Sequence, residues 1–163
     1  MTVVRLGKAS RYGLYALVRM ARSPTARVTA KDVAAEAEVS EHHVAKVLRA
    51  LRRAGLVEGA RGAGGGYQLA REPAAITMLE VVECIEGRPD APHAARSEHG
   101  EDAVDGAGPE ASAVQAVLRE ITTNAYYTLK SVTVATLAAR AEAAPSGALP
   151  PPRTELAPID RSP

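Results

Sequence analysis

Residues 40–71, SEHHVAKVLRALRRAGLVEGARGAGGGYQLAR, join an amphipathic helix with one basic face to a short glycine-rich hairpin. Ser40 is placed to cap the helix, its side-chain oxygen accepting from an orphan amide of the first turn. Val44, Val47, Leu48 and Leu51 recur at i, i+3, i+4 and i+7 and form one apolar stripe. At about 100° per residue, His42, Lys46, Arg49 and Arg53 gather on the opposite face. An apolar side to bury and a cationic side left outside is what a major-groove helix requires. Its first turn meets base edges, and later cations meet phosphates. A solvated basic face on an ordinary core helix has the same pattern, so the helix alone leaves both readings open.

The hairpin adds to the first reading. Gly55 stands where a helix C-cap is expected. Leu56 and Val57 begin a short strand, and Gly66-Tyr67-Gln68-Leu69 reads as its return. Between them, Arg61-Gly62-Ala63-Gly64-Gly65 is free enough in backbone to follow a sugar–phosphate wall closely. Arg61 is placed to enter a minor groove, where narrow width concentrates negative potential. A plain hairpin turn is the structural alternative. A nucleotide-cradling loop is disfavoured, because the order G-x-x-x-x-G-K-[ST] is absent and no helix start follows.

Upstream, Thr29 with Asp32 three residues on predicts a capping box opening a helix over 30–38. Only Val39 and Ser40 then separate it from the next helix, as a helix-turn-helix needs. Before it, Leu14, Leu17, Val18 and Ala21 mark the core stripe of a helix over about 8–22, which Pro24 ends. The predicted fold is mainly α with a small β-hairpin, a winged helix-turn-helix domain.

Charge is divided along the chain. Residues 1–71 carry 13 Lys/Arg against 5 Asp/Glu, a net of +8, and residues 72–163 carry 7 against 14, a net of −7. The whole-chain value of +1 hides this split. Basic surface on the helix–hairpin half supplies the salt-dependent phosphate attraction of DNA binding. Drift in a solvated surface is the alternative origin.

Downstream, Thr77 and Glu80 form another capping box, opening a helix to about Glu86 that Gly87 ends. Residues 88–109, rich in Gly, Pro, Ala, Asp and Glu, read as a flexible linker. Val114, Val117, Leu118, Ile121, Ala125 and Leu129 then form a stripe on a helix over about 110–131. That face is large for an isolated helix, so a long dimerisation helix packed on a twin subunit is expected. Folding back on its own domain is the alternative. Thr133 is placed to cap a last helix through Ala141. The expected organisation is 1–87 as the winged domain with its following helix, 88–109 as linker, 110–143 as dimerisation helix and short C-terminal helix, and 144–163 as a disordered Pro-rich tail.

The blocks R-Y-G-L-x-A-L near the start, V-T-A-K-D-V-A, S-E-H-H-V, L-R-x-A-G-L-V, R-G-A-G-G-G-Y and A-I-T-M-L-E-V-V-E-x-I-E-G resemble successive blocks of the Rrf family of bacterial regulators. The resemblance covers residues 6–87 and resumes more weakly over 111–141. It implies a homodimer on palindromic double-stranded DNA, usually as a repressor. It also implies base contacts from His42, Ala45 and Lys46 and a minor-groove contact from Arg61. The candidate DNA-contacting set is Lys31, Ser40, His42, His43, Ala45, Lys46, Arg49, Arg53, Arg61, Gly62 and Gly64. Relatives often carry an acidic or long polar side chain where Ala45 stands, which implies a different operator here. Cluster-binding relatives place three cysteines in the linker, and residues 88–109 contain none. No iron–sulfur cluster is therefore expected.

Two further features bear on a sensor. His93 and His99, flanked by Glu98, Glu101 and Asp102, lack Cys/His partners and read as solvated polar residues, so no metal site is expected. Cys84 lies at the edge of a Met78/Val81/Val82/Ile85 stripe. It reads as a small buried thiol, with a redox sensor as the alternative. The latter needs exposure and a depressed pKa, which Glu80, Glu83 and Glu86 oppose.

One cysteine excludes an intrachain disulfide framework, and no nucleophile–base constellation suggests an enzyme. No apolar run reaches the ~18 residues of a membrane span and no signal peptide is recognised, so a cytoplasmic protein without membrane contact is expected. Two other functions stay open: a winged-helix protein-interaction module or partner-dependent corepressor, and a redox- or metal-responsive regulator using Cys84 or non-Cys ligands. An unidentified protein or small-molecule effector is compatible with each.

Overall fold

Helix α1 (Lys8–Arg22) is the hub on which the other elements pack, and its inward side explains why. Leu14, Leu17, Ala16 and Met20 are buried, with Gly13 and Ser10 beneath them. Val18 and Ala21, expected in the core stripe, are only half-buried. The buried arc is turned toward Ala16 and Met20 because α1 is covered from several sides by α3 (Glu41–Arg53), α4 (Met78–Glu86) and α6 (Val134–Ala143). The computed structural model describes residues 6–60, 62, 64–87 and 108–143. Arg61, His93, His99, the 144–163 tail and all but the end of the 88–109 linker lie outside the described residues.

Helix α2 (Ala30–Glu36) opens on the Thr29/Asp32 capping box, with the Thr29 N–H donating to the Asp32 carboxylate at 2.9 Å and Asp32 N–H to Thr29 Oγ1 at 3.1 Å. The helix is shorter than its sequence suggests. It stops at Glu36, and Glu38 takes a left-handed φ of +53°. The Val39 N–H donates back to Ala34 O at 3.0 Å, closing the helix as a glycine usually does. A non-glycine residue in this region costs roughly 1–2 kcal/mol. The chain accepts that cost because it must reverse at once into α3. Ser40 holds the N-cap position, but its side chain makes no capping bond. Ser40 through His43 are all exposed, so the first-turn amides of α3 are open to solvent and need no side-chain cap.

Helix α3 buries Val44, Val47, Leu48 and Leu51. Each such side chain contributes about 1.5–3 kcal/mol when fully buried, which clamps α3 to α1. Gly55 follows at φ +71°, and Leu56 N–H donates to Leu51 O at 3.0 Å, so the chain leaves the helix directly into β1 (Val57–Ala60). β1 pairs antiparallel with β2 (Gly66–Leu69) in the register Val57↔Leu69 to Ala60↔Gly66. Val28, between α1 and α2, pairs with Tyr67 from the other side, a third edge that local sequence patterns do not announce.

The C-terminal elements are sewn to this domain at one junction. After a 3-10 turn at Pro73–Ala75, Met78 N–H donates to Val132 O at 2.8 Å and Val134 N–H to Ile76 O at 2.9 Å. Thr77 caps α4 and Thr133 caps α6 side by side across that bridge. Ile76 and Val134 are both fully buried in the main core, so α6 is part of the N-terminal domain's packing. Helix α5 (Pro109–Ser131) contributes Leu129 to a second cluster with Leu79 and Val82.

Glu80 ties three elements together. Its carboxylate accepts from Thr77 N–H at 2.9 Å and from the Arg71 guanidinium at 2.8 Å. Partial burial pushes this carboxyl up, but the Thr77 amide and Arg71 outweigh that effect and hold it below its ordinary value. Hydrogen bonds from Thr29 do the same for Asp32. A depressed folded-state pKa contributes stability at neutral pH and loses it as acidification passes through the folded value. Glu80→Ala is expected to cost about 1 kcal/mol at pH 7. That cost should shrink as pH falls below the ordinary carboxylate range and through the depressed folded-state value, as read by urea denaturation at pH 7 and at successively lower pH.

Candidate nucleic-acid interface

With the apolar side of α3 committed to the core, its other side is left exposed by the described residues. His42, His43, Lys46, Arg49 and Arg53 are all exposed, and Ala45 is half-buried between them and the core. Arg52, which the sequence reading did not include, is exposed beside them. Its spacing of three from Arg49 was a usable signal. The rings of His42 and His43 stand edge to face with centroids 6.3 Å apart.

Among the described residues the ion pairs are Arg19–Glu36 and Arg71–Glu80, both away from this face. The α3 cations are in no ion pair among the described residues, so an external anion meets them without breaking one. Lys31 is exposed on the first turn of α2, and Ser40 is exposed at the turn.

The wing projects next to this face in sequence and is built on β1 and β2. Gly62 and Gly64 are exposed with φ of +97° and +78°, and Gly65 N–H donates to Gly62 O at 2.8 Å. At the neck, Gly66 adopts φ +145°, and a Cβ there would lie 3.0 Å from Arg27 Cβ and 3.1 Å from Val28 O. Only glycine allows the connector before α2 to lie this close to β2. Tyr67 lies across Gly59 on the other face of the hairpin, 3.2 Å from where a Cβ would stand.

Cys84 is half-buried and packs against the main core. Burial pushes its thiol up, with Arg53 opposing weakly. The upward shift comes from this burial and not from Glu80, Glu83 and Glu86, which the sequence alone suggests as its cause. A thiol held in its protonated form is a poor nucleophile at neutral pH.

The α5 stripe divides in two. Val114, Val117 and Ile121 are 51%, 56% and 43% exposed, while Leu118 and Ala125 are half-buried. Leu129, expected on the same subunit-pairing face, is instead buried against Leu79 and Val82 of its own chain. The reason is positional: the junction at Val132 holds the C-terminal end of α5 against α4.

Three packed helices with a short turn before the exposed cationic one, followed by a two-stranded wing, define a winged helix-turn-helix regulator. A family model described as Rrf2, iron-dependent transcriptional regulator, matches residues 6–140, and the chain belongs to the Rrf2 family. It is 39% identical over 135 residues to BadM of Rhodopseudomonas palustris, which is named as an HTH-type transcriptional regulator, covering 82% of this chain and 81% of that one. Among solved structures it is similar to CymR of B. subtilis, described as the global cysteine regulator. That likeness has a TM-score of 0.68 and 31% identity, covering 84% of this chain and 98% of the other. It is also similar to IscR of T. potens, with a TM-score of 0.64 and 26% identity over 89% and 94% of the two chains.

The family description includes iron, and the donors in this chain do not suit a thiolate-held centre. Its full sequence contains one cysteine, and that thiol is half-buried and pushed toward its neutral form. Among the described residues no three His, Cys, Asp or Glu side chains gather as a metal site. Among them, too, no helix is long and apolar enough to cross a membrane.

Because the α3 cations are exposed and unpaired among the described residues, they contribute little to folding. Arg49→Ala and Arg53→Ala are each expected to leave unfolding free energy within about 0.5 kcal/mol of the parent chain. Urea denaturation checks this, and a larger loss would mean that these side chains serve the fold.

Proposed function

We propose that the protein is a homodimeric repressor that binds a palindromic operator, with α3 in the major groove and the wing loop in the adjoining minor groove. The observation that carries this reading is the unpaired cationic face of α3, opposite a stripe that is wholly buried. His42, Ala45 and Lys46 face base edges, Arg49 and Arg53 meet phosphates, and Arg61 enters the minor groove. Lys31, Ser40 and His43 add contacts to the backbone. Ala45 offers a methyl group, suited to packing on a thymine methyl.

Two copies pair through the exposed part of α5, where Val114, Val117 and Ile121 present aliphatic surface that the described residues leave exposed. Control does not run through a three-cysteine iron–sulfur centre, because one cysteine cannot supply its ligands. The protein works in the cytoplasm, where its operator is.

Selection of bound fragments from a genomic pool, followed by gel shift on the enriched sequence, tests the reading. A palindrome bound at nanomolar concentration supports it, and no enrichment overturns it. Lys46→Ala and Arg61→Ala are each expected to weaken operator binding by about 1–3 kcal/mol while the far-UV spectrum stays unchanged. Val117→Glu, which places a charge in the pairing face, is expected to shift the protein from dimer to monomer in sedimentation and to lower operator affinity with it.

A further inference from the structure

The α1–α2 connector brings to the wing a side chain that no local pattern assigned to it. Val28 N–H donates to Tyr67 O at 2.9 Å, and Tyr67 N–H returns to Val28 O at 2.8 Å. Val28 is thereby a one-residue third strand on the free edge of β2. Its side chain is buried, and alternation along an extended segment turns Arg27 to the opposite, outer face. On that face Arg27 Cβ stands 3.0 Å from where a Gly66 Cβ would be, at the neck of the wing.

An exposed arginine in a connector needs no explanation by itself. This one differs because two backbone hydrogen bonds and a glycine-only approach fix where its stem begins. Arg27 is exposed and has no ion-pair partner among the described residues. The sole carboxylate on the two wing strands, Glu58, is engaged by the Gln68 amide. The outer face of the wing neck therefore presents an arginine whose stem is fixed at its root and whose guanidinium, with five donors, is in no ion pair among the described residues.

We propose that Arg27 is a second cation of the wing, gripping a phosphate of the DNA strand that the wing approaches. This rests on the DNA-binding reading above and adds to it a contact from outside the helix-turn-helix and the wing loop. The wing then holds DNA from two directions, through its own loop and through the connector laced to its edge. A phosphate contact positions the protein without reading sequence.

The test uses the full chain and a fluorescent duplex carrying the selected palindrome, titrated at several potassium chloride concentrations. Arg27→Ala is expected to weaken binding about threefold to tenfold and to reduce the slope of log K against log salt by about one unit. Arg27→Lys should restore most of both. The same fold-loss is expected on a scrambled duplex, since a phosphate contact is indifferent to sequence. Arg27→Gln, which retains much of the stem, is expected to behave like the alanine variant, with an unchanged melting midpoint. Parental affinity and slope in both variants, alongside lost binding in Lys46→Ala, would overturn the assignment. A loss confined to the palindrome would overturn it too, in favour of a base contact. If the parent chain binds neither duplex, the DNA-binding reading fails, and Arg27 is not its cause.

Discussion

What the outer face of α3 can do depends on what its inner face buries. Val44, Val47, Leu48 and Leu51 sit in the same cluster as Leu14, Leu17 and Met20 of α1, and together they account for much of the main core. No Phe or Trp is available to this chain, so the core is assembled from small aliphatic side chains that must interlock closely. A close-packed contact of this kind permits little rotation of α3 about its axis. The cations on the other side are thereby aimed rather than merely exposed, which a charge pattern alone cannot guarantee.

The second constraint is the junction where residues 76–78 run beside 132–134. Two backbone hydrogen bonds and two threonine caps draw the beginning of α4 and the beginning of α6 together. Glu80 extends the same knot to Arg71, the residue that follows the wing by two positions. The result is an α5 anchored at its C-terminal end, where Leu129 is spent inside its own chain. Toward the N-terminal end Val114, Val117 and Ile121 are exposed among the described residues. That asymmetry suits the pairing with a second copy that we propose for this helix.

Membership of the Rrf2 family and the composition of this chain pull in different directions on control. The family description names iron, while the sequence has a single thiol and the structure places it half-buried on the core. Burial that raises a thiol pKa favours a packing role for Cys84 over a reactive one. A signal carried by partners or by ligands that need no thiolate ligation fits this composition and accords with the function we propose.

Much of this fold was legible in the sequence because its decisive features are local. A 3.6-residue period, a Thr-x-x-Glu or Thr-x-x-Asp box and a glycine after a helix report on bonds made within one or two turns. Accordingly α1, α3, α4 and the return strand lie where those signals put them. The basic face of α3 was equally readable, since a helix's own geometry sorts its side chains. What depended on distant partners was not readable. The early end of α2 at Glu36 and the left-handed Glu38 belong to the tight reversal that brings α3 onto α1 and α2. The Val28–Tyr67 pairing, Arg27 at the wing neck, the burial of Leu129 and the surroundings of Cys84 each join segments far apart in the chain. By itself the sequence determined which faces are apolar and which are charged, because periodicity is a property of one segment. Which apolar faces find each other, and which side chains are thereby carried to the wing, only the tertiary structure decided, because burial is a property of pairs.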